Sequence, residues 1–190
     1  PNIYALDISE PMLLRARERC RDIPGVYFIR GDAERLSDYF REAFDAIFYT
    51  ASIFLLPRFC DSIRQASRLL VSGGVLSISY YSGLFDIRQE EALRKAFPDL
   101  QYQYGSVSFG ELSSCLDSIP ELKTTRVDFR FEVNREFLFD FLSIPAQSAG
   151  LFPKLPYLDR IPKVREMCDG LVEKVGPVFM GWKFLIARKR

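Results

Sequence analysis

The chain has 190 residues, 48% of them apolar, enough to close one sizeable core but short for two independent domains. Lys plus Arg number 26 against 25 Asp plus Glu, so no charge excess is available to hold a nucleic-acid backbone or an anionic membrane surface. Histidine is absent, which excludes His-based triads and His-containing zinc sites.

The sequence opens PNIYALD, with neither the charged head nor the apolar stretch of a signal peptide, and no run approaches the length of a membrane span. A cytoplasmic protein is expected, with the natural chain extending upstream. Cys20, Cys60, Cys115 and Cys168 form no C-x-x-C pair, and reduced, packed thiols are the expectation.

Residues 3–6 form a short apolar run that stops at Asp7; Ser9, Glu10 and Pro11 then supply an N-cap, an acidic first turn and a first-turn proline. This predicts a strand running into a helix, with Leu13, Ala16 and Cys20 on its packed face. Pro24-Gly25 ends the helix, 26–29 is a second strand closed by Gly31-Asp32, 33–40 a short helix, and 44–49 a third strand. A longer helix is predicted over 57–71, with Ile63, Ala66 and Leu70 inward and Ser72-Gly73-Gly74 as its stop, before the apolar run 75–78.

Strands without polar alternation, each following a helix, indicate an α/β fold with a parallel sheet covered on both faces. Further on, helices are predicted over 86–97 and 109–119, and strands over 124–133 and 178–187. One domain over 1–190 accounts for this order, and its one Pro-rich stretch is 145–162.

In open parallel sheets ligands bind beyond the carboxyl ends of the strands, which here carry Asp7, Asp32 and the pair Tyr49 and Thr50. A carboxylate at the first position can accept from both ribose hydroxyls of a nucleoside. Asp32 can accept from an exocyclic adenine amino group while the Ala33 amide donates to the ring, and Ile8 and Met12 offer apolar surface to the purine face.

The segments YALDISEPMLLRARERC, FIRGDAERL, FDAIFYTASIFLLP and ASRLLVSGGVLSISYYSG, in that order, resemble the class I S-adenosylmethionine methyltransferases. The resemblance is particularly to the small-molecule group that includes the ubiquinone/menaquinone methyltransferases, over roughly the first eighty residues by pattern. The resemblance implies a Rossmann-like, mostly parallel sheet with helices on both faces and an antiparallel final strand. It also implies a first strand and D-x-G-x-G-type loop that would precede Ile3 and are absent from this chain.

By the same resemblance, Asp7 would hold the ribose, Ile8 and Met12 would border the adenine, Asp32 and Ala33 would read its edge, and Tyr49 and Thr50 would lie near the methionine moiety of S-adenosylmethionine. Phe54 stands where many relatives carry a polar or His residue. Together with Tyr80 and Tyr81 it would suit a small, apolar or aromatic acceptor. The connection 134–176, with Phe137, Phe139, Phe141, Phe152 and Tyr157, lies where relatives often insert a lid.

Transfer from a sulfonium needs alignment and exclusion of water but no metal or covalent nucleophile, so the lack of histidine is compatible with it. Two alternatives share these residues. One is a methyltransferase-like interaction module without catalysis; the other is an NAD-dependent oxidoreductase, in which an acid ending the second strand also serves ribose.

Overall fold

The computed structural model describes residues 2–41, 43–102 and 107–190. The chain begins β1 (Ile3–Asp7), α1 (Glu10–Arg19), β2 (Val26–Arg30), a 3-10 turn (Ala33–Arg35), α2 (Leu36–Tyr39), β3 (Phe44–Thr50), a second 3-10 turn (Ile53–Leu55), α3 (Phe59–Leu69) and β4 (Leu70–Phe85). It continues with α4 (Ala92–Ala96), α5 (Phe109–Asp117), β5 (Leu122–Val133), α6 (Arg135–Leu142), α7 (Pro145–Leu151), α8 (Tyr157–Val175) and β6 (Val178–Lys189).

The strands form two sheets, β1-β2 and β3-β4-β6-β5. β1 pairs with β2 and β3 with β4 in parallel, whereas β6 lies antiparallel between β4 and β5. The expected mostly parallel sheet is therefore corrected to a mixed one. The long ladders that β6 makes on both sides, from Val75 to Phe85 and from Leu122 to Val133, set this balance.

Between β1 and β3 the link is made by side chains. Tyr4 meets Phe44 and Phe40 edge-on, at 5.7 and 5.9 Å between ring centroids, and stacks on Tyr27 at 5.1 Å. Edge-to-face rings join the two sheets without a backbone ladder. Phe48 of β3 is 69% exposed.

Alternation along β4 and β6 then divides the remaining apolar residues between two cores. On one face Leu76, Ile78, Leu185 and Ala187 pack against Ile63 and Ala66 of α3 and Leu112 and Leu116 of α5. On the other, Tyr81, Leu84 and Met180 pack against Leu93, Leu138, Leu142, Val164 and Leu171. The segment expected to be a lid is thus three helices, α6 to α8, whose inner residues build the second core. Asn134 opens α6 by accepting from the Phe137 N–H at 2.8 Å, the side-chain cap that an orphan first-turn donor requires.

Two helices end differently from the sequence expectation. α3 stops at Leu69 rather than at Ser72-Gly73-Gly74, because Lys189 donates to the carbonyls of Ser67 and Leu70 at 2.8 and 2.7 Å and closes the helix early. The predicted helix over 86–97 shrinks to Ala92–Ala96. Asp86 accepts from the N–H groups of Arg88 and Glu90 at 2.8 and 2.9 Å and holds the preceding residues in a turn. The expected reduced thiols are corrected as well: Cys60 of α3 and Cys115 of α5 form a disulfide with Cα atoms 5.9 Å apart, while Cys20 and Cys168 are free. The two cysteines stand 55 residues apart, and only the packing of α3 against α5 brings them together.

Candidate functional site

β1 and β2 run side by side with Asp7 opposite Arg30, and the Gly31 N–H extends the ladder by donating to the Asp7 carbonyl at 3.0 Å. Asp7 and Asp32 therefore lie at the same carboxyl rim of one parallel pair. Asp7 is exposed and accepts from the Ser9 N–H at 2.7 Å, which fixes one carboxylate oxygen at the entry to α1. Asp32 caps the following turn by accepting from the Glu34 N–H at 2.8 Å, and its own N–H donates to the Tyr39 hydroxyl at 3.1 Å. Beside them Ile8 and Met12 are 70% and 53% exposed, two apolar side chains left in water at the same rim.

The turn carrying Ala33 is fastened to α3. Ser62 donates to the Ala33 carbonyl at 2.5 Å, Gln65 donates to the Glu34 carbonyl at 2.8 Å, and Arg58 pairs with the Glu34 carboxylate at 3.0 Å. Its carboxylate holds the Arg58 guanidinium above its usual range, first by hydrogen bonding and then by charge. Ala33 sits in the first turn, where helical geometry leaves N–H groups without an internal partner. Ser62, Gln65 and Arg58 were not singled out from sequence. The helical register of Ser62 and Gln65 along α3, with Arg58 as the residue just before it, is the one signal that could have placed them together.

Tyr49 and Thr50 part company. Thr50 is exposed at the end of β3. Tyr49 is 5% exposed, its hydroxyl lies 2.6 Å from Ser62, and burial pushes its pKa up to about 12. Its side chain is a core strut rather than an open ligand contact, a correction that follows from strand alternation. Immediately beyond, Ala51 has φ of 49° and donates its N–H to the Ser79 hydroxyl at 2.9 Å. A non-glycine residue held in the left-handed region at a strand end is the sort of strain that accumulates at binding sites.

On the α3–α5 side, Phe54 meets Tyr80 edge-on with centroids 6.4 Å apart, and Tyr80 meets Phe109 at 5.8 Å. The Tyr80 hydroxyl donates to the Val107 carbonyl at 3.2 Å, and burial, with a smaller effect of the Glu111 charge, raises its pKa. Lys183, opposite Tyr80 in the β4–β6 ladder, lies 4.7 Å from the Phe109 ring centre. Tyr81 does not join this wall. It faces the other way, 4% exposed, against Phe141 and Trp182 at 4.9 and 5.8 Å, because consecutive strand residues point to opposite faces.

Residues 1–78 match a family model described as a methyltransferase domain. Against curated proteins, malonyl-(acyl-carrier protein) O-methyltransferase 2 of Ilyobacter polytropus is 24% identical over 143 residues, which cover 75% of this chain and 54% of that protein. The chain thus spans about half the length of the curated relative it matches.

Among solved structures, the YcgJ protein of Bacillus subtilis gives a TM-score of 0.63 at 16% identity, covering 100% of this chain and 82% of that one. A candidate methyltransferase of Bacillus halodurans gives 0.62 at 18% identity, covering 100% and 83%. The fold is that of a class I methyltransferase. The (4+2)-cyclase SpnF shares this methyltransferase fold too, with a TM-score of 0.56 at 22% identity over 99% of this chain and 66% of that one. No helix among the described residues is long and apolar enough to cross a membrane.

Proposed function

We propose that the chain acts in methyl transfer from S-adenosylmethionine to a small acceptor with an apolar or aromatic body. The observation that carries this is the shared rim of Asp7 and Asp32 on one parallel strand pair, with exposed Ile8 and Met12 beside it. Its chemistry suits an adenosine. The Asp7 carboxylate supplies acceptors for two ribose hydroxyls, Asp32 and the Ala33 N–H complement an adenine edge, and the apolar pair takes the ring face.

S-Adenosylmethionine, when bound, supplies a methyl group already activated on a sulfonium. The residues of this chain bind, orient and shield. The strained Ala51 and exposed Thr50 border the route from the adenosine rim to the acceptor wall. Phe54 and Tyr80 exclude water there, and Tyr80, with its pKa raised, keeps its proton at neutral pH on the Val107 carbonyl rather than acting as a base. The glycine-rich loop that the resemblance implies would lie on a strand beside β1. The open edges of β1 and β3, bridged by Tyr4 and Phe44, are where we place it.

Binding by the chain, together with whatever its gene encodes upstream of Pro1, tests the proposal. Titration calorimetry with S-adenosylmethionine should show saturable binding, and Asp7→Ala should weaken it by about 10- to 150-fold, the scale of a lost charged hydrogen bond. Unchanged affinity in Asp7→Ala removes the ribose role. Preference for NAD would turn the reading to an oxidoreductase, and binding of neither to an interaction module.

A further inference from the structure

The Cys60–Cys115 disulfide ties together the two helices that flank the aromatic wall. Cys60 is the second residue of α3, which begins four residues after the turn bearing Phe54; Cys115 is in α5, whose first residue is Phe109. Both rings close on Tyr80, one from each helix's side. The bond spans 55 residues of sequence, including all of β4 and α4.

Elsewhere the inner face of α5 packs through the fully buried Leu112 and Leu116. Its outer face is tied to β5 by Arg126, which donates to Ser113 and pairs with Asp117. Opening the disulfide would leave those contacts in place, so α5 would loosen at its attachment to α3 rather than unfold.

The two cysteines are unequally exposed. Cys115 is 5% exposed, whereas Cys60, in the first turn of α3, is only partly buried. An incoming thiolate meets the Cys60 sulfur first, and Cys115 is the leaving group.

We propose that this disulfide is a reversible clamp on the acceptor wall, opened by dithiol reductants. In the first step a thiolate of the dithiol bonds to Cys60 Sγ, the Cys60–Cys115 bond breaks, and Cys115 leaves as a thiolate that takes up a proton. In the second, the reductant's other thiol, as thiolate, closes on the mixed disulfide and releases Cys60, which is protonated in turn. The protein gains two thiols and the reductant becomes a cyclic disulfide. The clamped form holds Phe54 and Phe109 against Tyr80; the open form lets α5 move. The link to acceptor binding rests on the proposed function, whereas the clamp itself does not.

Alkylation of the air-oxidised chain under denaturing, non-reducing conditions, read by mass spectrometry, should label two of the four cysteines, Cys20 and Cys168. Treatment with dithiothreitol should raise this to four, lower the melting temperature by on the order of 10 °C and speed amide exchange over Phe109–Asp117 more than over β6. Cys60→Ser should reproduce the reduced state and abolish any response to dithiothreitol, while Cys20→Ser should behave as wild type. Four labelled cysteines before reduction would overturn the clamp. So would a Cys60→Ser variant whose exchange over α5 equals that of the oxidised protein. A clamp that passes these tests in a chain that binds no S-adenosylmethionine would leave the inference standing and count against the proposed function alone.

Discussion

The Gly31 N–H donates to the Asp7 carbonyl at 3.0 Å, and this bond carries the β1–β2 ladder one residue past the strands to set Asp32 beside Asp7. A side chain at that point would force its neighbours to shift. A Cβ there would come within 2.7 Å of the Tyr39 ring and 2.8 Å of the Leu6 side chain. Gly31→Ala should cost about 1–3 kcal/mol of stability in urea unfolding, the usual penalty for overpacking. It should also weaken S-adenosylmethionine binding, since Tyr39 accepts from the Asp32 N–H and must move. A fully stable variant with intact binding would show that Tyr39 does not fix the rim.

The neighbours Tyr80 and Tyr81 should separate cleanly in mutagenesis. Tyr81→Ala opens a cavity among Phe141, Trp182 and the second core, and a loss of about 3–5 kcal/mol is expected by denaturant unfolding. Tyr80→Phe removes a single hydrogen bond to the Val107 carbonyl, so stability should fall by about 1 kcal/mol. In an active enzyme its larger effect should be on the KM for the acceptor. Equal stability losses for the two variants would mean that Tyr80 is as much a core residue as Tyr81.

What the sequence made legible was local. Apolar runs ending in Asp7 and Gly31-Asp32 marked strand ends because turn and cap chemistry is written in adjacent residues. Phe54, in the turn after β3, meets Tyr80 of β4 edge-on. Tyr81 and the core position of Tyr49 were misjudged because naming a whole strand end as a site ignores that its side chains alternate. The split sheet and the Cys60–Cys115 bond depend on contacts between distant segments, for which spacing holds no signal, whereas the antiparallel final strand that the resemblance implied is β6.

Asp86 should govern the acid limb of stability. It is 2% exposed, and the Lys95 ammonium, donating at 2.5 Å, together with the N–H groups of Glu90 and Arg88, holds its carboxyl below the usual range. A depressed folded-state pKa means that the folded chain binds fewer protons than the unfolded one in this window, so stability rises with pH there. The contribution is complete above the ordinary carboxylate range and is lost as pH falls through the lowered value. Asp86→Asn should be less stable at neutral pH and show a flatter acid limb in urea midpoints taken from pH 2 to about 6. An acid limb of unchanged slope would assign that dependence to other carboxylates.

Tyr49 should govern the alkaline limb. Ser62 has one hydroxyl proton and gives it to the Ala33 carbonyl, so in the 2.6 Å contact Tyr49 is the donor. Loss of the phenolic proton would bury a charge, and that desolvation is why the pKa stands near 12 instead of 10. Here the folded chain holds the proton more tightly than the unfolded one. The stabilisation is therefore fully present below pH 10 and drains away as pH climbs to about 12, by on the order of 2 kcal/mol. Tyr49→Phe should lose about 1 kcal/mol at neutral pH from the missing hydrogen bond, yet decline less steeply between those limits. Urea midpoints at intervals across that range compare the two slopes, and parallel curves would mean that Tyr49 ionises without regard to its burial.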